Sequence, residues 1–162
     1  MTVPWLPAWY ETGLPIAEDA AKALMAPLFP TGVTGAVEVV NQLPDEMLDT
    51  GWIGRLLFLG RLGGVADVRR DQAVIQIAAI TNARTDSLLL NKFVRDVLLC
   101  IDDEIEVELE DGTTATIIAA KEITGPEEVP GLEYDERIIP STFIFTFDNP
   151  LETPDYSDHL GH

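Results

Sequence analysis

Apolar and polar positions follow two different periods along this chain, and the switches between them mark its elements. Residues 101–120, IDDEIEVELEDGTTATIIAA, show the clearest period of two. Glu104, Glu106, Glu108 and Glu110 alternate with Ile105, Val107 and Leu109, as expected of a strand with one wet face. Asp111-Gly112 follows as a two-residue turn signal, so the stretch is predicted as a β-hairpin. Such a turn sets Glu110 opposite Thr113, Glu108 opposite Ala115, Glu106 opposite Ile117 and Glu104 opposite Ala119. No Lys or Arg faces any of the four acids, which stand about 6.6 Å apart along the strand.

A period near 3.6 appears twice. Residues 15–29, PIAEDAAKALMAPLF, place Ile16, Ala20, Ala23, Leu24 and Leu28 at helical spacing. Pro15 suits the first turn, Glu18 and Asp19 suit the positive end of the helix dipole, and Pro27 marks the exit. A longer helix is predicted within residues 83–101, with Thr85 as N-cap. Its stripe of Leu89, Phe93, Val97 and Cys100 is flanked by Leu90, Val94 and Ile101. Strands are predicted in residues 35–44, in 52–64 with Gly63 and Gly64 closing it, and in 137–147 with Phe143, Phe145 and Phe147 on a core-facing side. Residues 71–81 are apolar on both faces, as in a central strand covered on both sides. The loop 125–136 is too long and too rich in Pro and Gly for a simple connector. Residues 1–14 form an arm of Pro and aromatic residues, and 148–162 a flexible acidic tail. Between them, residues 15–147 make one α+β domain: a mixed or antiparallel sheet with a β-hairpin and two main helices packed on it.

Composition agrees with a folded domain. The chain has 162 residues, 46% of them apolar, enough to bury about 70% of the surface that the unfolded chain exposes. No apolar run reaches membrane-spanning length, and the first residues lack the basic and apolar regions of a signal peptide, so neither is expected. Cys100 is the sole cysteine, which excludes an intrachain disulfide and a multi-cysteine zinc site; it reads as a small apolar residue ending a helix.

Charge changes the picture more. The formal charge is −18, which argues against gripping phosphates. Residues 55–95 hold seven of the chain's ten Lys and Arg with three acids, whereas residues 102–162 hold seventeen acids with two cations.

Catalytic chemistry finds little to build on. There is no P-loop, and GRLGG at 60–64 lacks the rest of a dinucleotide fingerprint. His159 and His162 both lie in the tail, leaving no base for a Ser or Cys nucleophile. DDEIEVELEDG misplaces the Asp/Asn spacing, the Gly and the terminal Glu of a calcium loop. A row of carboxylates on one strand offers no reason for split pKa values. No enzyme activity, cofactor or metal is expected, and assembly is the favoured role.

Residues 61–99, RLGGVADVRRDQAVIQIAAITNARTDSLLLNKFVRDVLL, resemble the central block of tail terminator proteins of long-tailed, non-contractile phages. The likeness rests on Gly63-Gly64, the Arg69–Asp71 link, the strand from Val74 to Ile80, the Arg84-Thr85 junction, and Val94-Arg95 with Leu98-Leu99. The loop GPEEVPG and the strand RIIPSTFIFTF resemble the family's closing elements, so the likeness covers residues 15–147 in element order. It implies a small α+β structural protein of the virion, forming a hexameric ring at the head-proximal end of the tail. Such a ring stops the tail tube protein from polymerising and offers a docking surface for head-completion or connector proteins, after assembly in the host cytoplasm. It implies no catalytic residues.

Candidate residues follow. Arg69, Arg70, Arg84 and Arg95 are expected to include subunit-interface residues, the alternative being local caps. Glu104, Glu106, Glu108 and Glu110 are candidates for a channel-facing strip past which DNA slides without binding. The alternatives are a solvated face or a contact with a neighbour's basic segment. Trp5, Trp9 and Tyr10 are candidates for docking on the tube or a neighbour, or for folding over the core. Glu127 and Glu128 belong to a loop that reaches an adjacent ring or stays in solvent. The competing functions are a head-completion or connector protein and a small acidic enzyme or ligand-binding domain.

Overall fold

The computed structural model describes residues 4–11, 14–49, 51–67, 69–126, 137–148 and 155–161. In chain order its main elements are α1 (Ala17–Met25), β1 (Val37–Val40), β2 (Arg55–Ala66), β3 (Arg70–Ile80), α2 (Arg84–Leu98), β4 (Ile105–Glu108), β5 (Thr114–Thr124) and β6 (Ile138–Asp148). The strands form one six-stranded sheet in the order β1-β2-β3-β6-β5-β4. β1 runs parallel to β2 and the other pairs are antiparallel, so the sheet is mixed and the fold is α+β.

One core joins both helices to the same sheet face. α1 contributes Ala20 and Met25, α2 contributes Leu90, Val94 and Leu98, and the sheet contributes Leu57, Leu59, Ile75, Ile77 and the three phenylalanines of β6. Phe143, Phe145 and Phe147 are at most 1% exposed, as the alternation in that strand predicts. In register, Phe145 lies between Ala73 of β3 and Ala120 of β5, so small neighbours make room for the large ring. Among the described residues, the opposite face of the sheet is covered at one end, where Leu56, Ala78 and Ile80 meet Met47, Trp52, Phe58 and Ile138. Gln72 of β3 stays exposed on that face, so the strand expected to be covered throughout is covered over part of its length.

Four details depart from the sequence reading. The β4–β5 hairpin has a three-residue loop, closed by hydrogen bonds from Gly112 N to Leu109 O at 2.9 Å and from Leu109 N to Thr113 O at 2.8 Å. Gly112 takes φ +82°, completing a type I turn with a glycine bulge. The register therefore moves by one: Glu108 faces Thr114, Glu106 faces Thr116, and Val107 faces Ala115. Burial decides this, because Ile117 is fully buried and must share its face with Ile105 and Val107 rather than with a glutamate.

Gly63 and Gly64 lie inside β2 and do not close it; the strand bulges at Leu62 and continues to Ala66. Gly64 has φ +125°, and a Cβ there would stand 2.0 Å from Gln72 O, so only glycine fits. α1 ends at Met25 and a 3-10 turn, Ala26–Leu28, follows; Ile16 and Leu28 are exposed.

The fourth departure concerns α2. Its N-cap is Ala83, not Thr85, and its buried face is Ser87, Leu90, Asn91, Val94 and Leu98. Leu89 and Phe93 of the expected stripe are exposed, as is Cys100. The helix is anchored by hydrogen bonds to β6 and to Arg137 just before it. Ser87 Oγ donates to Arg137 O at 2.6 Å, and Asn91 Nδ2 donates to Ile139 O at 3.2 Å and Ser141 Oγ at 2.8 Å. The buried carbonyl of Ile139 needs a donor, and Asn91 on this face of the helix supplies it.

Candidate assembly surfaces

The acidic row is divided by the fold. Glu104 precedes β4, Glu106 and Glu108 are the exposed positions of that strand with Glu108 at the end that borders a groove, and Glu110 stands in the turn; all four are exposed. β4 is an edge strand, and a charged outward face discourages uncontrolled pairing there. Glu110 accepts a hydrogen bond from Lys22 Nζ of α1 at 3.2 Å, an exposed pair worth little in stability. Asp111 accepts hydrogen bonds from Thr113 Oγ1 at 2.6 Å and Thr113 N at 2.9 Å, which together hold its carboxyl below the usual range. Between α1 and this turn lies a groove of about 450 Å³, whose lining includes Ala23, Ala26, Pro27 and Leu109.

The basic segment contains a site that the sequence reading passed over. Arg61 Nη1 and Nη2 donate to Asp71 Oδ2 and Oδ1, each at 2.7 Å, and Asp71 is 3% exposed. Hydrogen bonding to Asp71 raises the Arg61 pKa despite partial burial. Leu57, Leu59 and Arg61 share one parity in β2, and Asp71, Ala73 and Ile75 share one in β3. The alternation already put both charges on the inward side. Glu18 of α1 accepts Arg61 N–H at 3.1 Å and ties the helix to this strand.

Beyond this pair the β2–β3 hairpin runs into solvent. Leu62 and Val65 are 61% and 72% exposed. At the tip, Asp67 accepts N–H bonds from Arg69 at 2.7 Å and Arg70 at 2.9 Å, which hold its carboxyl below the usual range. The Arg69 and Arg70 side chains are exposed, and Arg70 comes within 4.0 Å of Asp148. The other two expected interface arginines lie elsewhere, on α2. Arg84 opens the helix and is half-buried. Arg95 is paired within its own chain: Nη2 donates to Glu122 Oε1 at 2.8 Å and Nε to Oε2, and this pair holds the Glu122 carboxyl low. This pair joins α2 to β5 within the subunit.

The aromatic arm meets the other terminus. Trp9 stacks on His159 with ring centroids 4.0 Å apart and planes 3° from parallel, and Tyr10 stacks on Tyr156 at 5.9 Å. Glu11 N donates to Tyr156 Oη at 3.1 Å. Trp5 is 79% exposed. Tyr156 and His159 of the tail thus pack against Trp9, Tyr10 and Glu11 of the arm. Glu127 and Glu128 lie outside the described residues.

Among the described residues no three His, Cys, Asp or Glu side chains are grouped to hold a metal, and no helix is long and apolar enough to cross a membrane. No curated protein matches the chain. The sequence model of one family, described as phage tail termination protein, matches residues 13–154. That match spans every helix and strand from α1 to β6 and stops short of the arm and tail segments that touch each other. The chain therefore belongs to the phage tail termination protein family.

Proposed function

We propose that this chain is the tail terminator of a long-tailed, non-contractile bacteriophage. It is a structural virion protein that forms a ring, hexameric by its resemblance, on the head-proximal end of the tail tube. The ring stops the tube protein from adding further and offers a surface to the head-completion or connector proteins. One observation carries this reading: the family match runs across the whole α+β fold rather than one motif. The separation of charge supports it, because a ring needs unlike faces that meet. Arg69 and Arg70 are exposed at one hairpin tip and the acids gather around the other hairpin. We keep Arg84 and Arg95 as candidates of lower rank, given Arg95's own partner Glu122.

The experiment is negative-stain microscopy of a lysate in which this gene carries a nonsense mutation. Overlong, headless tails beside DNA-filled heads are expected. Normal-length free tails beside leaking heads would move the protein to the head side of the neck instead. Intact virions would return it to a role outside assembly.

The acidic strip is proposed to have two parts. Glu104 and Glu106 face the channel, where carboxylates repel the duplex and let it slide. Glu108 and Glu110 border the groove beside α1. Replacing Glu104 and Glu106 by Lys slows DNA ejection if they line the channel; unchanged ejection kinetics would assign them to a solvated face.

A further inference from the structure

The two charged hairpins leave the sheet at the same end. Arg70 is in register with Asp148, and Asp148 with Thr116, next to the β4–β5 turn. They leave on opposite sides of β6. β1 pairs only with Arg55 to Phe58, so among the described residues no strand flanks residues 62–66 on their outer side. β4 is the opposite edge. α1 spans the distance between them: Glu18 holds the Arg61 N–H of the tip strand and Lys22, one helical turn on, holds Glu110 of the turn. A subunit thus presents a projecting tip on one flank and a groove on the other, at one level, as a heterologous ring contact requires.

The two surfaces are complementary in chemistry. Ala23, Ala26, Pro27 and Leu109 give the groove its apolar lining, and Asp19, Glu108, Glu110 and Asp111 line it too, with Lys22 its single cation among the described residues. The tip carries exposed Leu62 and Val65 beside exposed Arg69 and Arg70, while Asp67 is turned onto its own backbone. We infer that the groove between α1 and the β4–β5 turn receives the β2–β3 hairpin tip of a second copy of this chain. Leu62 and Val65 cover the apolar lining, and Arg69 and Arg70 meet the carboxylates of Glu108, Glu110 and Asp111. Opposite charges fix the register of the contact, and desolvation by the apolar residues strengthens it. This inference rests on the ring-forming reading above and names the counterpart of its arginines.

A heterologous contact allows a charge-swap test in the phage. The tip variant is Arg69→Glu with Arg70→Glu; the groove variant is Glu108→Lys with Glu110→Lys. Each is supplied from a plasmid to cells infected with the nonsense phage, alone and together. Either variant alone meets like charge at every contact and yields overlong tails. Supplied together, they alternate: the acidic tip seats in the basic groove and the native tip in the native groove, so tails of wild-type length return. Placing all four changes in one chain also restores length.

Wild-type termination by either variant alone overturns the inference, as does failure of both variants without rescue by the mixture. The latter result would move the tip contact to the tube or the connector. Normal tails in the nonsense infection without any plasmid would instead remove the terminator reading itself. Thermal unfolding of each purified variant checks that it folds. Should the groove variant melt early, Glu108→Gln with Glu110→Gln replaces it, with a broadened tail-length distribution expected and an unchanged one overturning the contact.

Discussion

Phe145→Ala lowers the unfolding free energy by about 3–5 kcal/mol, the range for removing a buried aromatic side chain. The position leaves the core little means of closing the gap. Phe145 is fully buried, its strand neighbours in register are Ala73 and Ala120, and its other contacts include the rings of Phe143 and Phe147 at 6.4 and 6.1 Å. Across the strands, an alanine at 145 would have only Ala73 and Ala120 on either side. A domain of ordinary stability, about 5–15 kcal/mol, would be left marginal. Urea unfolding followed by circular dichroism measures the effect. A loss near 1 kcal/mol, the size of a single buried methylene, would mean that the layer between the helices and the sheet collapses, contrary to the packing described.

Asp71→Ala is expected to cost about 2–4 kcal/mol, slightly below the usual cost of breaking a buried pair because Arg61 keeps some contact with water. The Arg61 side chain is 30% exposed and that of Asp71 only 4%. Without the carboxylate the guanidinium retains its Nε bond to Gly63 O at 3.0 Å but loses both Nη bonds to Asp71. The pair closes the inward side of the β2–β3 hairpin just before the exposed tip, so its loss also loosens the segment bearing Arg69 and Arg70. Replacing both partners by Leu should recover most of the stability, since two apolar side chains leave no stranded charge. The same urea series decides: a double variant no more stable than Asp71→Ala would show that the pair's worth is not the burial of an uncompensated charge.

Much of the architecture was legible locally. Alternation in residues 137–147 pointed to the phenylalanine face of β6, and both main helices lie where a 3.6 period was found. The order of glycine pair, strand, junction and helix in residues 61–99 was enough to suggest the family that the comparison then supplied. The inward charges Arg61 and Asp71 were legible too, because each continues the inward parity of its strand.

What stayed hidden was phase rather than period. Nothing near Leu89 or Phe93 says that Ser87 and Asn91 face the sheet. That follows from the carbonyls of Arg137 and Ile139, about fifty residues away. The hairpin loop gained a residue because Ile117 had to share a face with Val107, a constraint set by the core and not by Asp111-Gly112. Likewise, only the folded chain brings Trp9 against His159 and sets the basic tip and the acidic groove at one end of the sheet. Backbone geometry is a short-range property, so the sequence alone determined which elements form and which residues share a face. The choice of buried face depends on partners distant in the chain, and tertiary packing alone decided it.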